Sequence, residues 1–197
     1  MKKPHHITEI FLQPGDFYFG GRDTRIRTIL GSCVSVIMWH PQRLIGGMCH
    51  YMLPGRIDTG DGTLDGRYAD EAMGLFMQQI RAARTFPKDY QVKVFGGGEM
   101  FPGSCRDRPQ AMRSDLPLRN RRIAHQLMDQ YGLRVMSAQM GGAVHRQVLF
   151  DVWSGDAWVR QRPVVPSRQI LVDLRKRAFP GEDAARVNSV NAVEVFA

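Results

Sequence analysis

The chain opens with short apolar runs separated by glycine, proline and polar breaks, a pattern that predicts strands and turns. Residues 7–12 and 17–19 read as strands around the Pro14-Gly15 turn, and residues 25–29 as a third that runs into Gly31-Ser32-Cys33. Two longer apolar runs follow, broken only by His40-Pro41-Gln42-Arg43, which predicts a hairpin ending at Pro54. A polar, glycine-rich loop occupies residues 55–62. The period then changes. Over residues 68–84, Ala69, Ala72, Met73, Phe76 and Ile80 recur at three- and four-residue steps, giving one apolar stripe on a helix that Pro87 closes.

A strand over residues 91–95 leads into Gly96-Gly97-Gly98, and residues 102–118 read as irregular. A second helix is expected over 119–131, with Ile123, Leu127 and Tyr131 on one side and Gly132 as its C-terminal cap. Strands at 133–138, 147–152 and 157–160 are separated by Gly141-Gly142 and Ser154-Gly155-Asp156 turns. Beyond Pro163 the chain is polar and rich in Pro and Arg, with a short helix expected near 170–177. These elements predict an α/β (α+β) fold: a layered α/β sandwich of mixed, largely antiparallel strands with two main helices in a single domain. Residues 1–162 would form that domain, and 163–197 a polar C-terminal extension.

Composition adds bounds. With 43% hydrophobic and 23% charged residues, the chain has the balance of a soluble globular protein. No apolar run approaches the roughly 18 residues of a membrane span, so no membrane insertion is expected. Met1-Lys2-Lys3-Pro4-His5-His6 begins basic but leads into no apolar core, against a secretory signal. Three widely spread cysteines do not read as a disulfide framework, and a cytoplasmic location is the simplest expectation. The net charge of +8 speaks to partners. Much of it is arginine, in one stretch from Arg106 to Arg122 and another from Arg160 to Arg177. Solvated surface and an acidic protein partner both account for that. Specific nucleic-acid binding is disfavoured, because no recognisable nucleic-acid motif is present.

Candidate chemistry centres on Cys33 and His50. If the hairpin pairs residues whose numbers sum to 83, its turn is centred between Pro41 and Gln42, and Cys33 lies opposite His50 with Cβ atoms about 5 Å apart. The pair then suits a nucleophile and its base, with thiolate and imidazolium as the expected resting state. Gly31 and Ser32 would present backbone N–H groups to the sulfur and to an oxyanion. A buried structural role also suits a free cysteine, and a core role suits a histidine; the Gly-Ser setting and matched spacing favour chemistry. Thr28 would orient the imidazole, although a strand threonine also serves packing. Cys49, next to His50, should face the opposite side and lie in the core. Cys105, among arginines, reads as a redox-labile bystander. The triple glycine lacks a following Gly-Lys-Ser/Thr, so a close backbone approach near the site is preferred over a phosphate loop. No histidine or cysteine spacing suggests a metal, and the chemistry calls for no cofactor.

The blocks Leu12-x-Pro14-Gly15, Thr28-x-Leu30-Gly31-Ser32-Cys33-Val34 and Gly46-Gly47-Met48-x-His50-x-Met52-Leu53-Pro54 give the chain a wider likeness. Tyr68-Ala69, Val94-Phe95-Gly96-Gly97-x-x-Met100, Arg119-Asn120 and Gly141-Gly142 continue it. With these the sequence resembles the CheD family of chemoreceptor glutamine deamidases over about residues 10–160. The resemblance implies a layered α/β sandwich that hydrolyses glutamine side chains of methyl-accepting chemotaxis receptors to glutamate, releasing ammonia through a cysteine thioester. It places the family's cysteine on Cys33, its histidine on His50 and its threonine on Thr28. It further implies receptor cytoplasmic helices as partners and, in some members, a CheC-type phosphatase. A non-catalytic adaptor that docks the same partners is the alternative. Cys49, Gly98-Glu99 and His145 depart from the usual pattern without touching the proposed nucleophile or base.

Overall fold

A computed structural model of the chain describes residues 4–56, 62–100 and 115–164. Alternation dictates its first sheet. Along β3 (Thr24–Leu30), Thr24, Ile26, Thr28 and Leu30 are buried while the side chains between them face outward. This strand pairs in parallel with β1 (Thr8–Leu12) and antiparallel with β8 (Val144–Asp151), and β9 (Ala157–Pro163) pairs antiparallel with β8.

The second sheet is built around β4 (Val34–His40), which is buried along its whole length because both faces are covered. Its strand order is β2 (Phe17–Gly20), β5 (Ile45–Cys49), β4, β6 (Gln91–Gly96) and β7 (Val135–Met140). Five of the seven strand pairings in the two sheets are antiparallel. The mixed, largely antiparallel character expected from the sequence is therefore present, in a single α+β domain.

Even-numbered β4 residues Val34, Val36 and Met38 join Cys49 and Tyr51 in a core under the two helices, α1 (Ala69–Ala82) and α2 (Leu116–Gln130). The α1 stripe of Ala69, Ala72, Met73, Phe76 and Ile80 is buried as the periodicity predicts, with Phe76 edge-on to Phe17 at 4.8 Å between ring centroids. Odd-numbered Ile37 and Trp39, with Met48 and Phe95, form a second core against Ile26, Leu30, Val148 and Phe150 of the first sheet. Helices, central sheet and outer sheet are thus three layers.

Several boundaries differ from those read in the sequence. The second helix starts at Leu116, three residues ahead of Arg119, because Pro117 suits a first helical turn. Its exit runs through Gly132 at φ 59°, and the Leu133 N–H closes on the Met128 carbonyl, so β7 begins only at Val135. The last two strands extend beyond their expected ends, with β8 starting at Val144 and β9 reaching Pro163. Of the segment expected to be irregular over 102–118, residues 116–118 belong to α2; residues 102–114 with Cys105, residues 57–61 of the glycine-rich loop and the helix expected near 170–177 lie outside the described residues.

Candidate active site

The hairpin forms, but in a different register. Ile37 pairs with Met48 and Val34 with Tyr51, so paired numbers sum to 85 and the turn spans residues 41–44, with Leu44 at φ 53°. Cys33 is therefore not directly opposite His50. The register sets Ser35 opposite His50 and Cys33 one step diagonal to it. A two-residue shift preserves the face, whereas a one-residue shift would have reversed it. Cys33 packs with the core between the sheets, and Met48, two residues before His50 on its strand, lies in that same core. Cys49 faces the helices, fully buried, with its thiol pushed up to about 12 by desolvation. That is the inert core cysteine expected from its position.

His50 is held from both sides. Its N–H donates to the Asp16 carbonyl at 2.9 Å, and its carbonyl accepts from Gly15 N–H at 2.7 Å. The Pro14-Gly15 turn thus fixes its backbone against one neighbour while β4 flanks the other. The ring, 1% exposed, reaches across the gap between sheets, where Nδ1 lies 2.7 Å from Thr28 Oγ1. Thr28 Oγ1 in turn donates to the Leu12 carbonyl at 2.9 Å. A hydroxyl has one proton, and here it is committed to Leu12. Thr28 must then accept from His50, which places the ring proton on Nδ1 and leaves Nε2 a bare lone pair. Nε2 is buried and has no hydrogen-bond partner among the described residues, so no hydrogen bond joins it to the Cys33 sulfur. Burial lowers the His50 pKa to about 4, against weaker opposing effects of the Leu12 carbonyl and Asp16.

The Cys33 turn is assembled from backbone. Gly97 N–H donates to the Cys33 carbonyl at 2.7 Å, and Gly98 N–H to the Gly31 carbonyl at 2.8 Å. Gly96, at φ 117°, approaches so closely that a Cβ there would overlap the Cys33 carbonyl oxygen. The triple glycine is the close backbone approach its sequence suggested. Desolvation raises the Cys33 thiol pKa, while the Ser32 hydroxyl and the Cys33 amide hydrogen-bond toward the sulfur and oppose that rise. Both shifts favour a neutral thiol and a neutral imidazole and run against the preformed ion pair expected from sequence alone, because desolvation outweighs what the neighbours offer.

Three further residues shape the site. Asn120, fully buried on α2, donates through Nδ2 to the Ser32 carbonyl at 3.2 Å and the Met52 carbonyl at 2.8 Å. It ties the Cys33 turn and the segment after His50 to one helix. Its only signal was its place beside Arg119 at a supposed helix start. Ser35 Oγ is buried opposite His50 without a partner among the described residues. Arg146, 4% exposed, donates to the Gly141 carbonyl and leaves Nε and Nη1 unpartnered. Nothing in the local sequence marks these last two.

The chain is similar to several known proteins. A family profile described as CheD chemotactic sensory transduction matches residues 52–161, beginning just past His50. "Probable chemoreceptor glutamine deamidase CheD" of Pseudomonas fluorescens (strain SBW25) is 49% identical over 164 residues, 83% of this chain and 90% of that protein. "Probable chemoreceptor glutamine deamidase CheD 3" of Dechloromonas aromatica (strain RCB) is 46% identical over 156 residues, 79% and 89% of the two chains. The solved structure of the Bacillus licheniformis hypothetical protein YfiH covers 63% of this chain and 50% of its own, at a TM-score of 0.36 and 16% identity. That likeness is too slight to argue from.

The depressed His50 pKa carries a stability consequence. Unfolded histidine titrates near 6.5 and folded His50 near 4, so the unfolded chain binds the extra proton between those values. His50 thus contributes stability that is full above pH 6.5 and lost as pH falls to 4, a loss of about 3 kcal/mol. Urea denaturation of wild type and His50→Gln across that range is expected to show this slope in wild type and its absence in the variant.

Proposed function

The chain belongs to the CheD family, and from that premise we propose that it is a protein-glutamine deamidase acting on methyl-accepting chemotaxis receptors in the cytoplasm. It hydrolyses glutamine side chains to glutamate and releases ammonia. The names of the relatives support the reaction. The observation that carries the assignment to residues is the Leu12–Thr28–His50 relay, which leaves a bare imidazole nitrogen buried one diagonal step from a partly exposed cysteine.

Cys33 and His50 start neutral. As the substrate amide enters, His50 Nε2 takes the thiol proton and the sulfur attacks the glutamine Cδ, forming a C–S bond and a tetrahedral oxyanion. The imidazolium that forms keeps Nδ1–H on Thr28 and therefore its orientation. It delivers the Nε2 proton to the amide nitrogen, the C–N bond breaks, and ammonia leaves. Water then adds to the γ-glutamyl thioester and gives a proton to Nε2. The C–S bond breaks, and that proton returns to sulfur. Backbone N–H groups of the Gly31-Ser32-Cys33 turn stabilise the oxyanion, held in shape by the glycines beneath it. A neutral resting pair suits this sequence, since the charge separation is made only when a substrate can neutralise it. A CheC-type phosphatase remains a proposed second partner from the same family membership. Residues 1–162 would be the deamidase domain and 163–197 an extension.

Two measurements follow. Cys33→Ala should still bind a receptor cytoplasmic fragment but release no ammonia, and the gain of about 1 Da per modified glutamine should vanish from its mass spectrum. Undiminished deamidation by that variant would refute the mechanism. In the substrate-free protein, iodoacetamide should alkylate Cys33 slowly at pH 7 and faster with rising pH, with no plateau between pH 5 and 8. A plateau in that window, as a thiolate–imidazolium pair gives, would refute the neutral resting state.

A further inference from the structure

The central sheet is covered by two helices on one face and by the outer sheet on the other. The outer sheet buries only its inner face, and its other face carries large apolar side chains: Phe11, Ile29 and Trp158 are 40%, 49% and 51% exposed. Register shows that they form one patch. Ile29, Gln147 and Arg160 stand in a row across β3, β8 and β9. Arg27, Leu149 and Trp158 stand in the next row, with Phe11 beside Arg27 on β1. Between them lies an open groove of about 310 Å³. Apolar patches of this kind on a soluble domain mark interaction surfaces.

Charge specifies the partner. Arg27 is held by Glu9 at 2.9 Å and lies over the Phe11 ring at 5.4 Å. Arg160 and, one row further along β9, Arg162 have no carboxylate partner among the described residues. An apolar strip edged by unpaired guanidinium groups complements an apolar stripe edged by carboxylates. Four strands at about 4.8 Å spacing offer a face roughly 15 Å wide, enough to seat one helix about 10 Å across. The face lies on the opposite side of the outer sheet from Thr28, and the chain joins the two at the end of β3. Ile29 and Arg27 flank Thr28 on β3, and the Ile29 row lies four residues before Cys33 on the same chain segment.

We propose that this outer face is a docking exosite for an acidic, amphipathic α-helical segment of the protein whose glutamines reach Cys33. Trp158 and Ile29 are its apolar anchors, and Arg160 and Arg162 its charge contacts. The proposal takes the identity of the partner, a chemoreceptor, from the deamidase reading. Docking on this face, away from the site, would hold a folded helical substrate so that another part of it reaches the end of β3 and Cys33.

The test uses the full chain carrying Cys33→Ala, with and without Trp158→Ser and Arg160→Glu, titrated with a helical cytoplasmic fragment of a chemoreceptor. Both substitutions are on an exposed edge strand, and unchanged thermal melting confirms folding. The double substitution should weaken binding about tenfold or more, and Arg160→Glu alone should flatten the salt dependence of Kd. An unchanged Kd overturns the exosite. So does a wild-type dimer in sedimentation that the double variant converts to monomer, which would assign the face to a second copy of this chain. In the Cys33-containing protein, the same substitutions should raise KM for the receptor fragment and leave kcat/KM for a short glutamine peptide unchanged; equal losses on both substrates also overturn it. Absence of ammonia from either substrate with wild type refutes the deamidase reading, while the Kd comparison still decides the exosite.

Discussion

The hydrogen bond from His50 to Thr28 is the constraint on which the rest of the site depends. Its two ends belong to different sheets, so it exists only when the sandwich is closed and both layers are in register. The Leu12 carbonyl completes the chain by claiming the Thr28 proton. A peptide carbonyl accepts and never donates, so with the Thr28 proton committed to Leu12 the Thr28 oxygen is left to accept from His50. The consequence appears one ring width away, at a nitrogen that must be a base. Backbone geometry in one sheet thereby fixes a proton in the other.

Stability and chemistry pull in opposite directions around that nitrogen. A buried Nε2 without a partner, beside a buried Ser35 hydroxyl in the same state, costs free energy that a packed apolar core would not. Arg146 adds a buried cation whose one hydrogen-bond partner among the described residues is a carbonyl. The domain offsets this with two apolar cores and with backbone-to-backbone closure of the Cys33 turn through Gly97 and Gly98. Asn120 links that turn to the helical layer. The backbone around Cys33, the proposed nucleophile, is thus restrained by groups that do not themselves react.

Much of the architecture was legible in the chain. The α1 stripe, the strand alternation of β3 and the glycine-capped exit of α2 all follow from periodicity and turn chemistry, and they formed. Pairing register was not legible, because a four-residue loop and a two-residue loop fit the same polar break, and only tertiary packing decides between them. The face assignment of Cys33, His50 and Cys49 survived that error because side-chain direction depends on parity. Protonation was misread for a different reason. Sequence places a thiol near an imidazole, but the desolvation that keeps both neutral comes from layers contributed by distant segments. Ser35 was likewise invisible, and Asn120 was marked only by its place beside Arg119, since the importance of both lies in what stands across from them.

The central claim is a statement about one proton. Long-range proton–nitrogen correlation NMR on protein labelled at the histidine rings reads it directly. At pH 7 the account predicts that His50 is a single tautomer, with Nδ1 protonated and Nε2 showing the shift of an unprotonated ring nitrogen, and that Thr28→Val abolishes this preference. A protonated Nε2, an imidazolium, or fast exchange between tautomers in wild type would contradict it.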